Sequence, residues 1–382
     1  MNPIYLDHNA TTPVDPEVRE AMLPYLGESF GNPSSLHGFG AKARKAVDEA
    51  REKVASCLMC RPDEIVFTSG GTESIHLALH PIPQDLVQNP KAHVITSSVE
   101  HQSVLQPLER LEKQGWITAT RLVPDSLGNI SVDEVAEAVC DNTALISILF
   151  VNNETGNLYP IEGMGRLARE KGILFHVDGV QALGKIPINL SRLSVDLMSF
   201  SAHKIYGPKG VGALYVKKGV RLAPLLQGGF QERGLRAGTE NVPGIVGFGH
   251  AMEIAHRNLE IENLRIRELR DFLERGLQER IPGVILHGDP DHRVANTLNV
   301  AFEGVSGETA LIALDREGIA VSAGSACASG ALEPSHVLLA MGIGREEAKS
   351  SLRFSLGRGT QRTDIDQVLE KLPGIIERLR GK

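Results

Sequence analysis

The chain has 382 residues, enough for two domains or one large domain with an appendage, and its 42% hydrophobic and 23% charged residues are the ordinary mix of a globular protein with a sizeable core. Lys and Arg number 40 against 47 Asp and Glu, a net charge of -7, and with aromatics at only 4% and no basic stripe among them a nucleic-acid partner is not expected. The amino terminus lacks a charged region followed by an apolar one, the longest largely apolar stretch (144–151) is too short to cross a bilayer, and four cysteines cannot frame a disulfide scaffold, so the expectation is a cytoplasmic α/β enzyme without a membrane partner.

A helical run over 41–54 comes first, followed by a β-rich segment at 64–68 and a short helical run at 75–79. Further strands are predicted at 93–97, 117–123, 145–151, 174–177, 197–200 and 212–216, with helices at 131–139 and 161–171 among them. Such alternation predicts a mostly parallel sheet covered by helices on both faces. The pattern changes near residue 260. A charged helix over 260–280 carries Ile266, Leu269, Leu273 and Leu277 on one face, and a strand (297–302), a helix (308–317) and a final helix from Asp364 follow. The expected division is a large domain over 16–260 and a smaller α+β domain made of 1–15 and 261–382.

Ligands of such sheets bind beyond the carboxyl ends of the strands, so the residues just after each strand carry the chemistry. After the first comes Thr68-Ser69-Gly70-Gly71-Thr72-Glu73-Ser74. Its glycines and free helix-start amides suit a phosphate, although the same residues also make an ordinary helix cap. After the fourth lies Asn152-Asn153-Glu154-Thr155-Gly156, and after the fifth Val177-Asp178-Gly179-Val180-Gln181, with a carboxylate at the strand's end. The sixth is followed by Ser201-Ala202-His203-Lys204. A lysine at this edge, partly buried beside Ser and His, has the setting of a Schiff-base amine, whereas Lys209 in Gly207-Pro208-Lys209-Gly210 reads as a turn residue. Phosphate cradle, aspartate, hydroxyl, histidine and lysine together are what pyridoxal phosphate requires.

At this point the chain resembles the cysteine desulfurases of the nitrogen-fixation and iron–sulfur-cluster type, class V aminotransferases of the fold type I pyridoxal-phosphate enzymes. The motifs that carry the resemblance are Gly70-Gly71-Thr72-Glu73, Glu100-His101, Asn152-Asn153-Glu154, Asp178-Gly179-Val180-Gln181, Ser201-Ala202-His203-Lys204, Arg236-Ala237-Gly238-Thr239-Glu240-Asn241 and Gly324-Ser325-Ala326-Cys327, and the likeness runs from Tyr5 to Arg358. The resemblance implies a homodimer in which Lys204 carries the cofactor, Asp178 faces its ring nitrogen, Gln181 its ring hydroxyl, and His101 stacks on the ring and shuttles protons. It further implies phosphate contacts from Gly71, Thr72, Ser201 and His203, with Thr239 reaching in from a second subunit, and a substrate carboxylate held by Asn153 and Arg353. In the implied reaction L-cysteine displaces Lys204, the freed amine moves the α-proton, and the Cys327 thiolate takes the sulfur as a persulfide and leaves L-alanine.

Cys327 sits in a run of small residues, as a nucleophile that must visit both cofactor and acceptor requires. Cys57, Cys60 and Cys140 read as structural, and no His spacing suggests a metal. The chain departs from the usual family pattern at Phe230, at Ser74-Ile75-His76-Leu77 and at Ala237, and its end at Lys382 lacks the longer tail with which some members contact a scaffold protein. A selenocysteine lyase or an aminotransferase of the same class stays open, as does a non-catalytic sulfur-carrier or scaffold subunit. The sulfur acceptor also stays open: an iron–sulfur scaffold, a thiolation protein or another.

Overall fold

A computed structural model describes residues 3–80, 91–324 and 333–381. In chain order the strands are β1 (Ile4–Tyr5), β2 (Ile65–Thr68), β3 (Ala92–Ser97), β4 (Ile117–Leu122), β5 (Thr143–Leu149), β6 (Leu174–Asp178), β7 (Leu197–Ser201), β8 (Gly212–Val216), β9 (Val284–His287), β10 (Thr297–Phe302), β11 (Ile319–Ala320) and β12 (Ser351–Ser355). The helices are α1 (Pro16–Leu26), α2 (Gly38–Leu58), α3 (Gly71–Leu79), α4 (Gln102–Lys113), α5 (Val132–Ala138), α6 (Ile161–Lys171), α7 (Val242–Arg280), α8 (Gly307–Arg316), α9 (His336–Ala340), α10 (Arg345–Lys349) and α11 (Arg362–Arg380).

All seven strands expected in the first two thirds join one sheet, in the order β2-β8-β7-β6-β5-β3-β4. Pairing is parallel from β7 through β4, and β8 runs antiparallel to both β7 and β2. Strands β3, β7 and β8 are buried along their whole length, the mark of a sheet covered on both faces, while the edge strand β4 is buried only at its ends. Local chemistry sets the helix ends. Ser131 caps α5 and exchanges hydrogen bonds with Glu134 in a capping box, and Gly172 closes α6 in the left-handed conformation at φ 67°.

The carboxyl-terminal third builds an antiparallel sheet, β12-β10-β9, beside a parallel pair of β1 and β11. Two large apolar clusters result. One gathers α2, the first half of α7 and the central sheet; the other gathers Ile4 and Leu6, the second half of α7 from Ile266, β10, β12 and α11. Val337, Leu338 and Met341, although late in the chain, pack into the first cluster.

Helix α7 differs from expectation. It begins at Val242, not near 260, and runs 39 residues from one cluster into the other. Its early glycines are spacers: a Cβ on Gly249 would stand 2.9 Å from Ala50 Cα, and one on Gly247 2.7 Å from Met22 Sδ. Close contact with α1 and α2 requires their absence of side chains.

Candidate active site

The carboxyl ends of β2, β5, β6 and β7 and the turn after β3 open into one cavity. Gly71 and Thr72 line it from the first turn of α3, whose capping residue Gly70 offers no side chain to the free amides. Gly70 is at φ 154°, and a Cβ on Gly71 would approach Val180 Cγ2 to 2.8 Å, so only a bare backbone fits here. Ser201, His203 and Lys204 enter from the end of β7, Asp178 and Gln181 from the end of β6, and His101, Asn153 and Arg353 complete the wall. Ten of the twelve residues singled out from the sequence thus meet in one place.

The electrostatics follow from burial. The Asp178 carboxylate accepts the Val180 amide at 3.0 Å, and burial holds its pKa above the ordinary range, partly offset by the charges of His101 and Lys204. Lys204 Nζ donates to the carbonyls of Asn9 and Ala10 at 2.6 and 2.7 Å. His203 contacts Thr11 Oγ1 through Nδ1 at 3.1 Å; burial, with Lys204 and Lys209 nearby, pulls its pKa down to about 4, which leaves a neutral ring at neutral pH. His101 caps α4, its Nδ1 accepting the Ser103 amide at 3.1 Å. A neutral His101 therefore carries its proton on Nε2.

Arg353, on β12 and 1% exposed, donates to the Asn153 carbonyl at 2.9 Å and to Asp7 Oδ1 at 2.8 Å. Its Nε is buried without a hydrogen-bond partner. It is an unmet donor on a residue that lines the cavity.

Sequence reasoning missed Asn9, which joins the whole site. Its amide nitrogen donates to Ser355 Oγ at 2.9 Å, its Nδ2 to Thr297 Oγ1 at 2.9 Å and to the Asn153 carbonyl at 3.1 Å, and its own carbonyl receives Lys204 and Gln181. The only available signal was its place in the polar run from Asp7 to Thr12, since every partner is distant in sequence.

The other two expected residues differ in standing. Cys327 lies outside the described residues. Thr239 is exposed and away from the cavity, on a loop anchored by the Arg236–Glu73 ion pair at 2.9 Å and by Glu232, which accepts from Arg51 at 2.6 Å and from the Phe67 amide at 2.9 Å. Lys209 lines a separate surface cavity, and Phe230 is 93% exposed. Cys57 and Cys60 are half-buried free thiols whose pKa values burial pushes up to about 11 and about 12, so they are inert as nucleophiles. Cys140, by contrast, is exposed, with Sγ 3.1 Å from His93 Nδ1. Among the described residues no three or more His, Cys, Asp or Glu are grouped to hold a metal ion, and no helix is long and apolar enough to cross a membrane.

Known proteins share both sequence and architecture. The family model for Aminotransferase class-V matches residues 4–368. A cysteine desulfurase of Nostoc sp. (strain PCC 7120) is 50% identical over 381 residues, covering 100% of this chain and 94% of the relative. Among solved structures, a NifS-like protein superposes with a TM-score of 0.93 at 40% identity, covering 99% of this chain and 100% of the other. A structure described as SspA in complex with cysteine gives a TM-score of 0.83 at 39% identity, covering 92% and 98%. With a family match over nearly the whole length and half of all positions shared with a relative of almost the same size, the chain belongs to the aminotransferase class-V family and, within it, to the cysteine desulfurases.

Proposed function

We propose that the protein is a pyridoxal-phosphate-dependent cysteine desulfurase that converts L-cysteine to L-alanine and hands the sulfur, held on Cys327, to an acceptor protein of iron–sulfur cluster assembly or thiolation. One observation carries this reading. A single cavity brings a lysine amine, a buried carboxylate, an uncapped helix start flanked by hydroxyls and a neutral histidine, and a buried guanidinium with a spare donor within reach of one ligand. The residues fit the cofactor end by end. Gly71, Thr72, Ser201 and His203 hold its phosphate, Asp178 faces its ring nitrogen, Gln181 its ring oxygen, and Lys204 binds its carbonyl carbon. A protonated ring nitrogen also gives the buried Asp178 carboxylate the opposite charge that burial makes it need.

Bound there, pyridoxal phosphate supplies an electron sink for the electron pairs released as bonds to the substrate break. The chain's own groups do the rest. Arg353 and the Asn153 side chain orient the substrate through its carboxylate. Lys204 Nζ takes the proton from the substrate α-carbon, and His101 gives one back through Nε2, the protonated nitrogen of the neutral ring. The Cys327 thiolate attacks the substrate sulfur; the carbon–sulfur bond breaks with its electrons leaving toward carbon, Cys327 keeps the sulfur as a persulfide, and the three-carbon product gains a proton and departs as L-alanine.

The chain acts as a homodimer in the cytoplasm, with 16–260 as the large domain and 1–15 with 261–382 as the small one. Support for the dimer is an anchored loop that presents Thr239 to the outside, together with the exposed aromatic pair Phe30 and Phe39, whose rings lie 5.4 Å apart. The two apolar clusters support the division in the main, although Val337, Leu338 and Met341 pack with the larger one. The test of the reading is direct. Purified protein should absorb visible light, borohydride should fix the cofactor on Lys204, and, with excess dithiothreitol present to reduce the persulfide, L-cysteine should yield alanine and sulfide in equal amounts. Label on Lys209, or alanine without sulfide, would overturn it.

A further inference from the structure

Lys185 follows Gln181 by four residues in the turns after β6, and its ammonium donates to two side-chain oxygens, Gln181 Oε1 and, at 2.7 Å, Asn9 Oδ1. Asn263 of α7 donates to the Lys185 carbonyl at 2.7 Å and holds the backbone from which the side chain extends. As an ammonium, lysine has donors and no acceptor. The atom each amide turns toward Lys185 must therefore be its oxygen, and the nitrogen must face the other way.

The remaining contacts agree with that orientation. Asn9 Nδ2 donates to Thr297 Oγ1 and to the Asn153 carbonyl, and Gln181 Nε2 donates to the Asn9 carbonyl at 2.9 Å. That last bond uses one of the two N–H groups on Gln181. Gln181 is 5% exposed and lines the cavity, so it offers the cavity a donor. Were the amide reversed, it would offer an oxygen, which an anionic ligand oxygen repels.

The ammonium is held at a cost. Burial, followed by repulsion from Lys204 and Arg353, draws its pKa well below the usual lysine value. A methyl-ended side chain of the same length would fill the space without that penalty. What only a donor can do here is hold the two oxygens.

We propose that Lys185 is a positioning residue that locks the Gln181 amide with its N–H toward the cofactor's ring oxygen and ties Asn9, whose carbonyl receives Lys204, into the same network. The proposal rests on the pyridoxal-phosphate reading of the cavity. Losing the lock lets the amide rotate and lose a hydrogen bond to a charged oxygen, an effect of about ten-fold in affinity.

The experiment titrates apoprotein with pyridoxal phosphate and records affinity and the position of the visible absorption band. Lys185→Met is expected to weaken binding about ten-fold and to shift the band. In a Gln181→Ala background the same substitution should change affinity by no more than about two-fold, because the amide it positions is gone. A merely structural lysine would weaken both backgrounds alike. Wild-type affinity and band in Lys185→Met, or an equal loss in both backgrounds, overturns the proposal.

Should Lys185→Met fail to fold, Gln181→Glu decides. It keeps an oxygen for Lys185 and has no N–H to give, so about ten-fold weaker binding with a shifted band is expected, and wild-type behaviour overturns the proposal. If the wild-type chain takes up no pyridoxal phosphate, the site reading falls and the proposal falls with it. Normal uptake with unaffected variants removes the proposal alone.

Discussion

Replacing Arg353 with lysine separates its contacts within the protein from the substrate-binding task proposed for it. The guanidinium already spends two donors inside the protein, on the Asn153 carbonyl at 2.9 Å and on Asp7 Oδ1 at 2.8 Å, and its Nε is the buried donor without a partner. Lysine keeps the positive charge, so Asp7 is not stranded without a cation. It cannot keep the planar fork, and one ammonium cannot serve Asp7 and a substrate carboxylate together. A hydrogen bond to a charged group is worth about 1.5–3 kcal/mol, which corresponds to a loss of roughly 10- to 150-fold in affinity for any ligand bearing the carboxylate. The assay compares L-alanine with ethylamine, the same amine without a carboxylate, as competitive ligands of the wild-type and Arg353→Lys proteins. L-alanine should weaken by ten-fold or more, while ethylamine should change by less than about two-fold. Equal weakening of both ligands would mean that Arg353 serves only to hold Asp7 and Asn153 in place, and the assignment of the substrate carboxylate would be wrong.

Cys327→Ser should release neither sulfide nor alanine from L-cysteine, yet the cofactor absorbance should still respond to the substrate, since every cavity residue remains; wild-type turnover would remove Cys327 from the chemistry. Lys204→Ala and Thr239→Asp should each be nearly inactive alone. After verified subunit exchange of an equal mixture, half the dimers are mixed and one of their two sites is intact, so about a quarter of wild-type activity should return, and its absence would place Thr239 in its own subunit's site. Asp178→Asn should abolish activity but raise the melting temperature of the apoprotein at pH 7. Burial raises the folded-state pKa of Asp178 above its unfolded value, so the ionised group destabilises the fold at pH above that folded-state pKa, and the penalty disappears as pH falls below the unfolded value. The gain should therefore shrink on acidification, as melting curves at a series of pH values will show, and a gain independent of pH would refute the argument.

Much of the site was legible because its chemistry lies where a parallel sheet exposes it. Asp178 ends β6 and Ser201 ends β7, each beside a strand that the alternation of short apolar runs and helices announces. The amino-terminal half of α7 was not legible. Gly244, Gly247 and Gly249 weaken any helical pattern read along the chain, and the contact with α1 and α2 that requires two of them is made across 200 residues of sequence. Asn9 and Lys185 were missed for a related reason. An amide or amine that acts only by holding other side chains leaves no local mark; its meaning is in partners such as Thr297 and Ser355, which no spacing connects to it.

The strap from Ile4 to Asn9 has a consequence for the order in which the protein can be completed during synthesis. It is made well before its partners, yet Ile4 pairs with Ile319, Asp7 bridges to Ser355 and Asn9 bonds to Thr297 and Ser355. Until those late strands have been made, the strap has no sheet to join, and the carbonyls of Asn9 and Ala10 that receive Lys204 have no fixed position. The central sheet has all its strands by Val216, but a nascent chain halted anywhere short of Ser355 carries Lys204 without its final neighbours. On the proposed function, cofactor capture should then be a late event, reserved for chains that have passed Ser355, and a product truncated before it would remain colourless even where its larger core had already formed.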